Sequence, residues 1–196
     1  ANIAQKLGID MMPCELWEGQ HFATHRFDRQ NNQKQHVLTA SGLTGWDYQN
    51  PEDSSYENLF KLAMALKIPL NELQQLFRRM VFNVVFNNID DHLKNHSFTY
   101  HPETDQWHLS PAYDLTYALN PKLKFHKVSR ALSIGGKREQ ISRKELLKIA
   151  DTFSIEQAEQ TIQEILESRS LWSDLAYQHH LSPILISTIQ QQMVNI

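Results

Sequence analysis

One segment of this chain leaves few options for its fold. After Pro69, the residues Leu70, Leu73, Leu76, Phe77, Met80, Val81, Val84 and Val85 recur at three- and four-residue steps. That spacing winds them onto one stripe of an α-helix. An isolated helix of this length is marginal in water and draws its stability from packing, so the stripe predicts a buried core helix. What leaves its C-terminal end is polar: Asn88-Ile89-Asp90-Asp91-His92-Leu93-Lys94-Asn95, answered nineteen residues later by the pair Tyr113-Asp114.

An Asp, an Asn five positions on and a second isolated Asp beyond a short hairpin match what phosphoryl transfer requires. Asp90 is the candidate base, facing a hydroxyl that must lose its proton as the phosphoryl group arrives. Asn95 offers an amide oxygen and Asp114 a carboxylate to Mg²⁺, a hard cation that prefers oxygen ligands. Lys94 is placed to neutralise charge on the transferring group. An Asp and an Asn five apart also recur by chance, often as caps or turn formers. The surroundings separate the two readings here: a buried helix, a polar loop, a hairpin, then an Asp among aromatic and apolar residues. Asp91 reads as a solvated loop acid, with a third metal ligand as the alternative. His92 is expected to hold the loop through a side-chain hydrogen bond. Zinc is disfavoured because its sites draw on well-spaced His and Cys ligands, and Cys14 lies far upstream. On residue type alone, His25, His179 and His180 are surface or packing histidines.

Composition narrows the class. The net charge of −3 argues against a surface devoted to nucleic acid, which is normally basic. No apolar run approaches the roughly 18 residues of a membrane span. A single cysteine rules out an internal disulfide, and no secretory signal is visible, so a cytoplasmic protein is expected. Ala1 opens inside what reads as the end of a helix, with Ile3, Ala4 and Leu7 closed by Gly8. The expectation is therefore a truncated, split or cleaved product.

The remaining elements follow from turn and cap chemistry. Cys14 to Trp17 and His21 to Phe27 read as a hairpin around Glu18-Gly19-Gln20, and Asp28 to Gln35 as a loop. His36 to Trp46 carries no clear signal. Ser54 and Glu57 have capping-box spacing ahead of a helix with Leu59, Leu62, Ala63 and Leu66 on one face. Phe98 and Tyr100 alternate with polar neighbours, as do Trp107 and Leu109, which predicts a second hairpin turning at Pro102 to Asp105. Ser142 with Glu145, Ser154 with Gln157, and Ser182-Pro183 each predict a helix start. Strands come first and helices afterwards, so the class is α+β with a mostly helical body.

Taken together these residues resemble the HipA family of bacterial toxin kinases over nearly the whole chain. Arg26-Phe27-Asp28-Arg29 looks like the family's RFDR segment and Ser55-Tyr56 like its SY helix start. Asp90-x-His92-x-Lys94-Asn95 is similar to its D-x-H-x-K-N catalytic loop, and Pro111-x-Tyr113-Asp114 to its P-x-Y-D metal segment. Leu132 to Gly136 resembles a stretch that commonly follows. The resemblance implies a protein-kinase-like fold: a remnant of the β-rich N-terminal lobe and hinge in residues 1–30, and the helical catalytic C-terminal lobe in 31–196. It implies a serine/threonine kinase using ATP and Mg²⁺. Asp90, His92 and Lys94 would belong to the catalytic loop and Asn95 and Asp114 would be the metal ligands. His25, Phe27, Asp28 and Tyr113 would lie on the nucleotide, with His25 and Phe27 at the adenine and Asp28 near the ribose. The implied partners are an antitoxin of HipB type, a protein substrate of the aminoacyl-tRNA synthetase class and, given the opening at Ala1, a separate N-terminal-lobe chain.

The chain departs from that pattern in two places. The family's glycine-rich phosphate loop and strand Lys lie upstream of the helix that opens this chain, so weak nucleotide binding and poor turnover are expected of it alone. His25 stands where a Glu often precedes RFDR, a change a backbone contact would tolerate. Two other readings stay open. One is a catalytically incomplete kinase-fold module that binds an antitoxin or target. The other is a small-molecule phosphotransferase, although those commonly carry a His two residues before the Asp, where this chain has Asn88.

Overall fold

The apolar stripe forms the central helix α4 (Leu70–Val85), in which Leu73, Leu76, Phe77, Met80, Val81, Val84 and Val85 are buried. Leu70 is the exception at 48% exposure, because the first helical residue sits before the stripe reaches the core. The structure, a computed structural model, describes residues 1–118 and 129–196. It has an α+β architecture in which α4 is packed by α3 (Tyr56–Ala65) and α6 (Ala158–Glu167), with Phe60, Ile162 and Ile165 fully buried.

A three-stranded antiparallel sheet covers one end of α4. Its order is β5 (His36–Thr39), β6 (Ser97–His101), β7 (Gln106–Leu109), with β6 in the middle. Leu38 pairs with Phe98 and Phe98 with Leu109, which drives the buried central strand against the helix. Glu72, in the first turn of α4, ties the sheet on. Its carboxylate accepts from the Leu109 amide at 2.6 Å and lies 2.7 Å from His108 Nδ1.

Two further hairpins precede the sheet. β1 (Cys14–Trp17) and β2 (His21–Thr24) turn through Glu18 and Gly19, both at positive φ. The second strand stops at Thr24, short of the expected Phe27. The expected loop at 28–35 contains a miniature hairpin, β3 (Arg29–Gln30) with β4 (Gln33–Lys34), turning on Asn31 and Asn32. Both asparagines adopt the left-handed backbone that a two-residue hairpin turn needs. The unassigned stretch after it holds β5 and then α2 (Ala40–Thr44), capped by the Thr39 hydroxyl.

Two helix starts differ from expectation. α3 is capped by Ser55, whose Oγ accepts from the Asn58 amide at 3.1 Å. Ser54 Oγ donates instead to the Tyr48 carbonyl, and Glu57 reaches the Gly135 amide. Ser154 and Gln157 both lie at positive φ outside any helix, and α6 starts at Ala158. The other two hold: Ser142 and Glu145 form the capping box of α5 (Arg143–Thr152), and Ser182 caps α8 (Pro183–Gln192) with Pro183 in its first turn. A short α1 (Asn2–Lys6) opens the chain, and α7 (Leu171–Gln178) packs against α8. Among the described residues no helix is long and apolar enough to cross a membrane.

A closed ring of buried polar groups joins these parts, and Asp91 is its centre. The Asp91 carboxylate is fully buried, so the expectation of a solvated loop acid was wrong. Its Oδ2 accepts from Arg130 Nη2 at 2.9 Å and from the Tyr56 hydroxyl at 2.8 Å, and its Oδ1 from the Leu132 amide at 3.2 Å. Asn83 Nδ2 donates to the Tyr56 hydroxyl, Asn88 Nδ2 donates to Asn83 Oδ1, and Arg130 Nη2 returns to the Asn88 carbonyl. Tyr56 opens α3, Asn83 lies on α4, and Asp91 and Arg130 belong to separate loops. The ring therefore sews four chain segments together. His96 completes it, fully enclosed, with Nε2 3.3 Å from the Asp91 carbonyl and its ring edge-on to Tyr56.

Breaking a buried pair by removing one partner strands the other charge in the core. Asp91→Ala is expected to lower unfolding stability by roughly 3–5 kcal/mol in urea titrations. The double change Asp91→Leu with Arg130→Met should cost clearly less than the sum of the two single changes. Burial holds the His96 imidazole down at about 4, so the folded state keeps it neutral while the unfolded chain takes up a proton below its ordinary value. Stability from this group is complete above that ordinary value and is lost as pH falls toward about 4. Lowering the pH from about 7 to about 5 should cost on the order of 2 kcal/mol. His96→Gln should largely remove that dependence.

Candidate functional site

The loop that carries the motif is positioned from below by the buried ring. α4 ends at Val85, Asn87 turns the chain at φ +55°, and Asn88 re-enters the core. Consecutive aspartates then part company: Asp91 points inward, while the Asp90 side chain is 59% exposed at the surface. The anchored acid fixes where the free acid stands. A single 3₁₀ turn, Leu93–Asn95, brings Asn95 back over Asp90, and Asn95 Nδ2 donates to the Asp90 carbonyl at 2.8 Å. With its amide hydrogen committed there, Asn95 has Oδ1 left as an acceptor for a cation.

Asp114 arrives from the other side. Its backbone lies at φ +53°, a conformation uncommon outside glycine but commoner for Asp and Asn, and its carbonyl accepts from Asn88 Nδ2 at 3.3 Å. Asn95 and Asp114 line one small cavity of about 10 Å³. Arg79 shares that cavity, and its guanidinium is buried and held down at about 10, chiefly by desolvation. An amide oxygen and an exposed carboxylate at the same opening form the all-oxygen donor set that suits a hard divalent cation.

The rest of the loop is held by aromatic rings. Lys94 Nζ lies 3.7 Å from the centroid of the Tyr48 ring, a cation–π contact. His92 meets the same ring edge-on at 5.4 Å. Among the described residues the expected side-chain hydrogen bond from His92 is not formed: Nε2 is 3.8 Å from Asp90 Oδ1, and Nδ1 has no partner. Packing on Tyr48 holds it instead. The Tyr113 hydroxyl donates to the Lys94 carbonyl at 2.7 Å and pairs with Ser97 Oγ, and burial pushes this phenol up. Tyr113 therefore clamps the motif loop to the Asp114 segment.

Phe27 stacks on that ring with centroids 5.7 Å apart. The structure thus brings together Asp90, His92, Lys94, Asn95, Tyr113 and Asp114, with Phe27 joined through Tyr113. His25 stands apart: its side chain is exposed and its amide donates to the Pro13 carbonyl. Asp28 is engaged locally. Arg26 holds both of its carboxylate oxygens and Arg29 adds a third contact at 2.6 Å. The Arg26 hydrogen bonds take its carboxyl down to about 2. A ribose hydroxyl at Asp28 would have to share oxygens already paired.

Sequence reading missed Tyr48, Tyr56, Arg79, Asp91 and Arg130 as the supports of this site. One signal was present. Asn83 interrupts an otherwise apolar stripe, and a polar residue on a buried face requires a polar partner in the core.

A family model described as the HipA-like C-terminal domain matches residues 1–172. A putative kinase, Y4dM, of Sinorhizobium fredii is 27% identical over 129 residues, which are 58% of this chain and 31% of that protein. The fold matches a chain of the Shewanella oneidensis MR-1 complex of HipA, HipB and operator DNA, at a TM-score of 0.73 and 19% identity. That match covers 97% of this chain and 52% of the other, so the chain spans about half the length of that solved protein. A family match over residues 1–172, most of the chain, means that this chain belongs to the HipA-like C-terminal domain family.

Proposed function

We propose that this chain is the catalytic portion of a HipA-type serine/threonine protein kinase of a toxin–antitoxin system, transferring the γ-phosphate of ATP to a protein hydroxyl. The observation that carries the reading is the convergence of Asn95 and Asp114 on one cavity, beside an Asp90 held outward by its buried neighbour. Residues 1–30 would serve as lobe remnant and hinge and 31–196 as the helical lobe. Phe27 and Tyr113, stacked on one another, would border the base.

Asp90 would take the proton of the attacking hydroxyl as its oxygen bonds to the γ-phosphorus. The bond from that phosphorus to the bridging oxygen breaks, leaving ADP and a phosphoester. Magnesium held by Asn95 Oδ1 and the Asp114 carboxylate would supply neutralisation of phosphate charge. Lys94, now resting on Tyr48, would swing its ammonium toward the transferring group. The structural neighbour comes from an assembly with HipB, which supports an antitoxin as partner. An aminoacyl-tRNA synthetase remains the substrate class we propose, in the cytoplasm.

The test is transfer of labelled γ-phosphate to a protein Ser or Thr, for the chain alone and with an N-terminal kinase lobe supplied in trans. Asp90→Asn and Asp114→Asn should each reduce transfer by several orders of magnitude. Asp90→Asn should leave Mg-ATP affinity within a few-fold, whereas Asp114→Asn should weaken it. Undiminished transfer by either variant refutes the assignment. Failure of the chain supplied with that lobe to bind Mg-ATP would instead favour a non-catalytic binding module.

A further inference from the structure

Two histidines meet on the three-stranded sheet. β6 carries the chain away from the motif loop, and His101 is its last residue. Thr99 pairs with His108 and His101 with Gln106, which puts the two histidine side chains diagonally across one face of the hairpin. Their ring centroids are 4.7 Å apart and the ring planes meet at 55°. That separation has a chemical meaning. An imidazole nitrogen bonds a zinc-like ion at roughly 2.0–2.1 Å, which sets the ring centroid roughly 3.2 Å from the metal. Two such rings at ligand angles of about 90–110° stand roughly 4.5–5.2 Å apart. The pair is already at chelating distance.

Glu72 decides which nitrogen His108 can offer. Its Oε1 lies 2.7 Å from His108 Nδ1, while its Oε2 accepts from the Leu109 amide. A carboxylate has only acceptors to give, so Nδ1 carries the ring proton and Nε2 keeps its lone pair in the neutral ring. A carboxylate behind the imidazole is the usual device that orients a metal-binding histidine and makes it more basic. His101 is exposed, so its ring can turn a nitrogen toward the same point. Among the described residues no third His, Cys, Asp or Glu completes the set, and solvent would fill the remaining positions.

We propose that His101 and His108 form a two-imidazole site for a divalent transition-metal ion of the Ni²⁺, Cu²⁺ and Zn²⁺ group, with Glu72 as the carboxylate that orients His108. Nitrogen donors suit these ions and not Mg²⁺, which separates this site from the all-oxygen opening at Asn95 and Asp114. The bound ion cross-links β6 to β7 beside the first turn of α4. The site does not depend on the phosphotransfer reading.

The test is a zinc chloride titration of the untagged chain, isotope-labelled at its histidine rings and followed by nuclear magnetic resonance. The His101 and His108 ring signals should shift together over the first equivalent while those of the other histidines hold. Calorimetry should give one site with a Kd on the order of 10 µM, since two imidazoles are half the ligand set of a structural zinc site. Cu²⁺ should bind more tightly than Zn²⁺, and magnesium chloride should move neither signal. His101→Ala, a change at an exposed position, should weaken Zn²⁺ binding at least about tenfold with the circular dichroism unchanged, because the second ligand no longer acts at high effective concentration. Glu72→Gln keeps both imidazoles and an acceptor for the Leu109 amide, and should weaken binding roughly tenfold. Affinity in His101→Ala within about twofold of the parent, or first-equivalent shifts at other histidines, overturns the site and leaves an adventitious ion only. Unchanged affinity in Glu72→Gln overturns the role of Glu72. Should Glu72→Gln fail to fold, the ring-nitrogen shifts of the metal-free parent decide: a proton on His108 Nε2 in place of Nδ1 overturns that role.

Discussion

One buried negative charge organises this protein. Desolvating the Asp91 carboxylate is tolerable only because a guanidinium, a phenol and a backbone amide converge on it. Each donor comes from a different part of the chain, and none can move without exposing an unpaired charge or an unsatisfied acceptor. The apolar core could be repacked by similar residues at modest cost. The arrangement of loops around Asp91 cannot, because hydrogen bonds to an ion carry direction as well as energy.

That directional constraint is passed outward to the chemistry. A peptide unit whose second aspartate is locked inward presents the first to solvent, so Asp90 needs no support of its own. Asn88 serves the interior and the surface together. Its amide bridges Asn83 on the core helix and the Asp114 carbonyl, which sets the left-handed turn beneath the Asp114 carboxylate. Tyr113 supplies the complementary tie from above, through the Lys94 carbonyl. The proposed metal ligands are thereby held from two directions, the arrangement expected of a pre-organised site.

How much of this was legible varied with the range of the interaction. The α4 stripe, the 97–109 hairpin, the Ser142 capping box and the Ser182-Pro183 start could all be read, because each depends on residues within one or two turns of one another. Ser54 illustrates the limit. Its spacing to Glu57 satisfies a local rule, yet Ser54 donates to Tyr48 and Glu57 is claimed by Gly135, so the cap passes to Ser55. The Asn31-Asn32 turn was a local signal read too loosely as a loop. Asp91 could not be read correctly at all. Thirty-nine positions separate it from Arg130, and an acid in a polar loop is normally solvated.

The sequence alone determined the core helix, the α+β class and the cast of oxygen-bearing side chains, because periodicity and spacing act along the chain. Only the tertiary structure decided which of two adjacent aspartates became the buried anchor. Burial of a charge is settled by partners brought from distant segments, and no local pattern records where they will meet. The same holds for Tyr48 beneath both His92 and Lys94. Residue identity proposes a role there, and the neighbours the fold delivers assign it.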